Sequence, residues 1–260
     1  MALFSAKRLF FAKNLADGDR IEVAGVPVRL KVSGRARRIT LRLDLARGEM
    51  LAIAPSARGL SAAAAFAQER AAWIQGQAAA MPKRQALLPG QSIEVLGRSC
   101  LLAHRPGRAS FRAAAGEEPA QLAVGGDPAR FSTGVLRVLR AEAYSFLAAR
   151  TEIHAQALGK PMPQVAVADA RSRWGSCRPP RTQGFGAACE VGRIRYSWRL
   201  ILAPYAVADY VAAHECAHLI EANHSPRFWA VVKGLVGDYR PHRAWLREHG
   251  AQLHAFGGGG

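Results

Sequence analysis

The sequence predicts an α+β fold: a β-rich N-terminal region followed by a mostly helical domain. Three observations carry that expectation. Residues 26–45 alternate apolar and polar side chains with a period of two, the pattern of half-buried strands. Beyond Asp127 the apolar residues recur three and four apart, as on amphipathic helices. Between these regimes lies the Gly/Pro-rich stretch GEEPAQLAVGGDPAR, residues 116–130, where the boundary is placed. The expected organisation is a short N-terminal segment (1–20), a β-rich region (21–126), a second domain (127–256) and a disordered tail of four glycines (257–260). With 260 residues, half of them hydrophobic and 21% charged, the chain has ample length to bury a core as a soluble globular protein.

The opening MALFSAKRLFFAKN is basic but lacks a continuous apolar core followed by a small-residue cleavage site, so a frayed or docked N-terminus is expected rather than a secretory signal. In VPVRLKVSGRARRITLRLDLARGEMLAIAP, Val26, Val28, Leu30 and Val32 face one way, and Ile39, Leu41, Leu43 and Leu45 do the same after a turn at Gly34. That reads as an antiparallel meander whose outer face carries Arg29, Lys31 and Arg42. Ser61 is the expected cap of a helix running to about Met81, with Phe66, Trp73 and Ile74 on one stripe. Short strands are expected around residues 92–96, 98–104 and 108–113.

Asp127 and Pro128 make a cap and first residue for a long helix that buries Phe131, Val135, Val138, Leu139, Phe146 and Leu147 and ends near Gly159. QVAVAD (164–169) is a candidate strand, and ARSRWGSCRPPRTQGFGAAC (170–189) reads as irregular. In GRIRYSWRLILAP, Ile194, Tyr196, Trp198 and Leu200 alternate with Arg193, Arg195, Ser197 and Arg199, which predicts a strand over 193–200 with one apolar and one basic face. It is either an edge strand that an extended peptide can pair with or an internal strand. Pro204 opens a helix covered on most sides, Ser225 and Pro226 start another, and Pro241 begins a last one. No internal repeat is expected.

The four cysteines, Cys100, Cys177, Cys189 and Cys216, form no CxxC pair, which argues against a cysteine-based zinc site and fits a reducing compartment, so the cytoplasm is the expected location. No apolar run approaches the ~20 residues a membrane helix needs, so no membrane partner is expected. The net charge of +17 attracts polyanions through counterion release, but the arginines are spread along the chain. Nucleic-acid or nucleotide contact through a diffuse basic surface is therefore open beside a plain solvated surface.

The chemistry concentrates in HECAHLIEANH, residues 214–224. His214 and His218 are four apart, so on a helix their rings stack on one face and can share one ion. Glu215 is turned about 100° away by the helical pitch, where it reaches a water on that ion without ligating it. A catalytic zinc needs a third ligand and an open position. His224 is preferred, since Ala222 and Asn223 offer a helix exit that can bring it round; Glu221, at i+3 from His218, is the competitor, and otherwise orients a ligand ring. Arg173, Tyr239, Arg240 and His242 are candidates to stabilise an oxyanion, set against a purely structural role. Trp174 and Cys177 are expected to stabilise their loop rather than react.

RWGSC (173–177), SWRLILAP (197–204), HECAHLIEANHSPRFW (214–229) and WLREHG (245–250), found together in this order, resemble the YgjP-like metallopeptidase family, relatives of the SprT and WLM zincin-type proteins. The resemblance implies a zincin-like domain over 127–256, zinc held by His214, His218 and His224, Glu215 as general base, and a peptide or protein substrate. Two departures stand out: Cys216 replaces the more usual leucine, and the connector RPPRTQGFGAACEV looks longer than usual. The same metal site also admits two rival readings: a nucleotide or phosphoester hydrolase, or a basic nucleic-acid-associated protein whose zinc is structural.

Overall fold

The computed structural model describes residues 15–44, 48–79, 81, 85–113, 115, 118–170, 173–180 and 191–256. Leu45, most of the long connector, the start of the N-terminal segment and the glycine tail lie outside the described residues. Two compact units divide the chain, Met1–Met81 and Pro82–Gly260.

The first unit is a four-stranded sheet with helices packed against one face. Its strands are β1 (Arg20–Val23), β2 (Val26–Val32), β3 (Thr40–Asp44) and β4 (Glu49–Ala54), in the order β1-β2-β4-β3. This corrects the expected meander: β2 and β4 are parallel, and β3 is antiparallel to β4 at the edge. The reason lies in the strands' own residues. Met50, Leu51, Ala52 and Ala54 of β4 are buried on both faces, so β4 takes an interior position, while β3 keeps the half-buried alternation that suits an edge. The expected helix is two, α1 (Leu60–Glu69) and α2 (Ala71–Ala79), broken at Arg70. Ser61 lies within α1 and Gly59 takes the cap position without a side-chain bond. The buried stripe runs through Leu60, Ala63, Ala64, Ala67 and Ile74 and closes on Val28, Leu30, Met50 and Ala52, leaving Trp73 outside it.

The second unit opens with another four-stranded sheet: β5 (Ser92–Val95), β6 (Arg98–His104), β7 (Ser110–Arg112) and β8 (Ala120–Val124), in the order β5-β6-β8-β7. β8 occupies the stretch read as a boundary; its alternating burial shows that AQLAV is a strand too short for its pattern to outweigh the flanking Gly and Pro. The division of the chain accordingly falls near residue 82 and not near 127, because Leu102, Leu122 and Val124 of this sheet share one core with Phe131, Val135 and Leu139 of the long helix α3 (Phe131–Ala157).

An internal repeat is present after all. Both sheets pair their first two strands antiparallel, the second and fourth parallel, and the third antiparallel to the fourth. Their hairpin turns match as well: IEVAG (21–25) and IEVLG (93–97) each carry two consecutive positive φ angles, 51° and 80° at Ala24 and Gly25, 51° and 76° at Leu96 and Gly97. Few side chains coincide beyond these turns, which is why the sequence hides the repeat.

Asp127 accepts a hydrogen bond from the Ala129 amide (2.9 Å) ahead of α3, and Gly159, at φ 62°, follows its end. A three-stranded sheet comes next: β9 (Gln164–Ala168), β10 (Gly175–Arg178) and β11 (Arg193–Ser197), in the order β10-β11-β9. β11 is central, antiparallel to β10 and parallel to β9, so it is not the edge strand. Its alternation lapses at Ser197, where a 3-10 turn over Trp198–Leu202 buries Arg199 against the Trp198 ring and pairs it with Asp169. The helices α4 (Tyr205–Ala217), α5 (Pro226–Val236) and α6 (Arg240–Leu253) complete the unit. α4, β11 and α5 share a core through Tyr196, Ala208, Val211, Ala212, Phe228 and Val232.

Candidate metal centre

α4 is alanine-rich and buried on most sides, with Asp209 and Glu215 its only acids. His214 and Glu215 occupy its last turn, and His218 is its C-cap. The chain then turns tightly, with the Leu219 amide bonded to the Cys216 carbonyl (2.9 Å) and the Glu221 amide to the Ala217 carbonyl (3.0 Å). Ser225 caps α5 by accepting from the Phe228 amide (3.3 Å), and Pro226 fixes the first turn. Between these two anchors the loop folds back and returns His224 to the face of α4.

The outcome is a cluster. The ligand atoms of His214, His218 and His224 lie within 4.8 Å of one another, and the Nε2 atoms of His214 and His224 are 3.1 Å apart. His218 donates from Nδ1 to the Glu221 carbonyl (3.0 Å), which leaves its Nε2 lone pair facing outward from that bond. Glu221 thus orients a ring through its backbone, while its carboxylate is not in the cluster. Burial holds His214 down to about 4, and the neighbouring His218, His224 and Arg243 push the same way, so its ring is neutral at pH 7.

One residue that the motif reading missed supports all three rings. Phe228, fully buried in the first turn of α5, sits with its ring centroid 4.9, 4.5 and 4.7 Å from those of His214, His218 and His224. Its signal was present in HSPRFW, where the residue four beyond His224 falls on the first buried position of a Pro-initiated helix. Trp229 stands beside His214 and His224, stacks on Tyr239 (4.5 Å), and carries the Arg243 guanidinium over its ring at 5.1 Å.

Glu215 is 5% exposed, and its Oε2 is buried with no hydrogen-bond partner. Burial lifts its carboxyl to about 7, against an opposing pull from Arg173. β10 makes this placement feasible. A Cβ built on Gly175 would fall 2.3 Å from Glu215 Oε1 and 2.5 Å from its Cγ, so only glycine lets the carboxylate lie there. Glu215, the three histidines, Arg173 and the edge residues Gly175, Ser176 and Cys177 border one open cleft of about 340 Å³.

The other candidates separate. Arg173 borders this cleft; Tyr239 and His242 pack on Tyr210; Arg240 is tied to its neighbour Asp238 (2.8 Å) and does not border it. Burial, aided by the charge of Glu215, pushes the Cys177 thiol up to about 12, and burial does the same to Cys216, whose Sγ donates to the Thr151 carbonyl. Neither is a thiolate at neutral pH. Trp174 packs against Gly250 and His254, holding the approach to β10.

A family model described as YgjP-like, metallopeptidase domain, matches residues 37–249. No curated protein and no solved structure matches the chain.

Proposed function

The chain belongs to the YgjP-like metallopeptidase family, and from that premise we propose that it is a zinc-dependent peptidase of zincin type whose centre is the cleft at the end of α4. The observation that carries the reading is the convergence of three imidazoles beside a buried carboxylate. The donors fit zinc: a tetrahedral ion with Zn–N bonds of ~2.0–2.1 Å separates its ligand atoms by roughly 3.4 Å, and the cluster spans 3.1 Å to no more than 4.8 Å. An all-imidazole set suits zinc better than magnesium or calcium, which take oxygen ligands. Three protein ligands among the described residues, rather than four, favour catalysis over a structural ion.

His214, His218 and His224 would hold the ion, which supplies Lewis acidity, acidifying water and polarising a carbonyl. Glu215 takes the proton from the attacking water and passes it to the leaving amine, a task matched by a carboxyl that burial lifts above its ordinary value. Gly175 fixes where that carboxylate stands. The substrate is an extended segment of peptide or protein. β10, at the edge of its sheet and bordering the cleft, is the strand it pairs with by adding main-chain hydrogen bonds. Arg173 borders the same cleft, and its charge is our candidate to stabilise the carbonyl oxygen as charge develops. No helix among the described residues is long and apolar enough to cross a membrane, and the three described cysteines are free; we place the protein in the cytoplasm.

Metal analysis of purified protein should find about one zinc per chain, with hydrolysis of an unstructured protein and none of a nucleoside triphosphate panel. Glu215→Gln should keep the zinc and lose turnover by roughly 10²-fold to 10⁴-fold, whereas His218→Ala should lose the zinc itself. Full peptidase activity in the Gln variant would overturn the assignment of the base.

A further inference from the structure

Every residue that borders the metal cleft belongs to the second unit, yet the first carries a dense run of positive charge. SGRARRITLR, residues 33–42, holds four arginines and no acid. Arg35, Arg37, Arg38 and Arg42 are all exposed, on the loop entering β3 and on β3 itself, the edge strand of its sheet. Elsewhere on this sheet, Arg20 and Arg29 share a carboxylate partner, Glu49, at 3.3 and 3.1 Å.

Two hollows flank the β3 edge. One, of about 530 Å³, has Arg38, Phe66, Arg70 and Trp73 among its walls. The other, of about 570 Å³, is walled by Arg35, Arg37, Arg38 and Arg42. Arg38 and Thr40 border both, so the two form one basic edge around the strand. Among the described residues no carboxylate lines either hollow. Each volume falls within the range of ~300–1,000 Å³ typical of small-ligand sites, room enough for a nucleotide.

Trp73 decides between a general polyanion surface and a more specific one. Its neighbour Ile74 is fully buried and anchors α2, while Trp73 is 45% exposed. Tucking an indole into the core would have added hydrophobic stabilisation; Trp73 instead stands on the wall of the hollow, beside Arg38 and Arg70. It is the only exposed large hydrophobic residue among the described part of this unit, too little apolar surface for insertion into a lipid interface. Arg70 lies over the Phe66 ring at 5.6 Å, which leaves its charged plane on the wall of the hollow.

We propose that this arginine-lined edge binds single-stranded nucleic acid, the phosphates held by Arg35, Arg37, Arg38, Arg42 and Arg70 and an unpaired base stacked on Trp73. An aromatic face beside a basic track recognises any base, so binding is independent of sequence, and a duplex, whose bases are already stacked, binds more weakly. None of its residues borders the metal cleft.

The full-length protein is titrated against a fluorescent single strand of about 20 nucleotides, longer than one site of ~4–16 nucleotides, at several salt concentrations. The logarithm of affinity should fall with the logarithm of salt at a slope of about −0.7 per phosphate contact, close to −3 for four or five arginines. Arg37→Glu with Arg38→Glu should weaken binding at least tenfold at low salt and flatten the slope by about 1 to 2. Trp73→Ala should weaken binding roughly tenfold with the slope kept, and Trp73→Phe should restore part of it. All these positions are exposed, and thermal melting and zinc content should match the parent protein. Absence of binding at low salt would overturn the proposal. So would unchanged affinity in the charge-reversed pair, unchanged affinity in Trp73→Ala, or tighter binding to phosphatidylserine vesicles than to the single strand.

Discussion

Glu215 stands where it does because the residue across from it has no side chain. Gly175 and the carboxylate occupy nearly touching positions, and the same burial that lifts the carboxyl to about 7 leaves its Oε2 without a partner. A methyl group at 175 must push the carboxylate aside or shift β10. Gly175→Ala should therefore lower kcat by about 10²-fold, as displacement of a reacting group by an ångström does, while zinc content stays near one per chain; loss of the metal instead would show that Gly175 serves the histidines. Beneath the rings, Phe228 sets the histidines' spacing in the same steric manner.

At the scale of elements, α4 is tied to α3 by a half-buried polar cluster. Arg150 forks onto Asp209 at 2.6 and 3.1 Å, and His154 reaches the same carboxylate at 2.6 Å. Thr151 donates to the Leu147 carbonyl and accepts from the Tyr196 hydroxyl on β11 (2.8 Å). Burial raises the Asp209 carboxyl, but the hydrogen bonds and charges of His154 and Arg150 outweigh it and hold the group below its ordinary value. A carboxylate depressed in the folded state contributes stability that is present above the unfolded value, near ~3.9, and is lost as pH falls through the folded one. Asp209→Asn should cost about 1.5–3 kcal/mol at pH 7 by leaving the half-buried Arg150 without its carboxylate partner. The gap in melting temperature between variant and parent should narrow only below about pH 4; a gap independent of acid would show that packing, not charge, is what the aspartate supplies. The legibility of these elements varied with their length and neighbours. α4 and α5 could be read because Pro204 opens the one, whose apolar run few charges interrupt, and Ser225, Pro226 and an apolar period mark the other. β8 and β10 could not, since AQLAV and GSCR are short strands set in Gly, Pro and Arg, and pairing with distant partners alone makes them strands. The parallel contact of β2 with β4 was equally hidden, because periodicity reports which face is buried and says nothing of neighbour order.

For the whole molecule, the division into two compact units puts the candidate metal centre in the second. The cleft, its aromatic floor and the Asp209 cluster all fall after residue 82. A chain beginning at Pro82 should fold cooperatively and bind about one zinc; a product that is unfolded by circular dichroism would show that the first unit is needed for the second. The three histidines and Glu215 were readable because helical spacing is a local property, whereas the domain division was not, because membership of a core is settled by contacts far apart in sequence. The repeated sheet has a consequence of its own. In the later copy the turn is pressed into service: the Leu96 amide bonds to the Ile201 carbonyl at 2.8 Å, and a Cβ on Gly97 would stand 3.4 Å from Pro204, where α4 begins. In the earlier copy a Cβ on Gly25 would meet nothing within 4 Å. The earlier turn is held within its own unit, by the Gln75 side chain donating to the Ala24 carbonyl at 3.0 Å, so a bulkier residue at position 97 should disturb the start of α4 and the histidines beyond it, whereas the same change at position 25 should leave them in place.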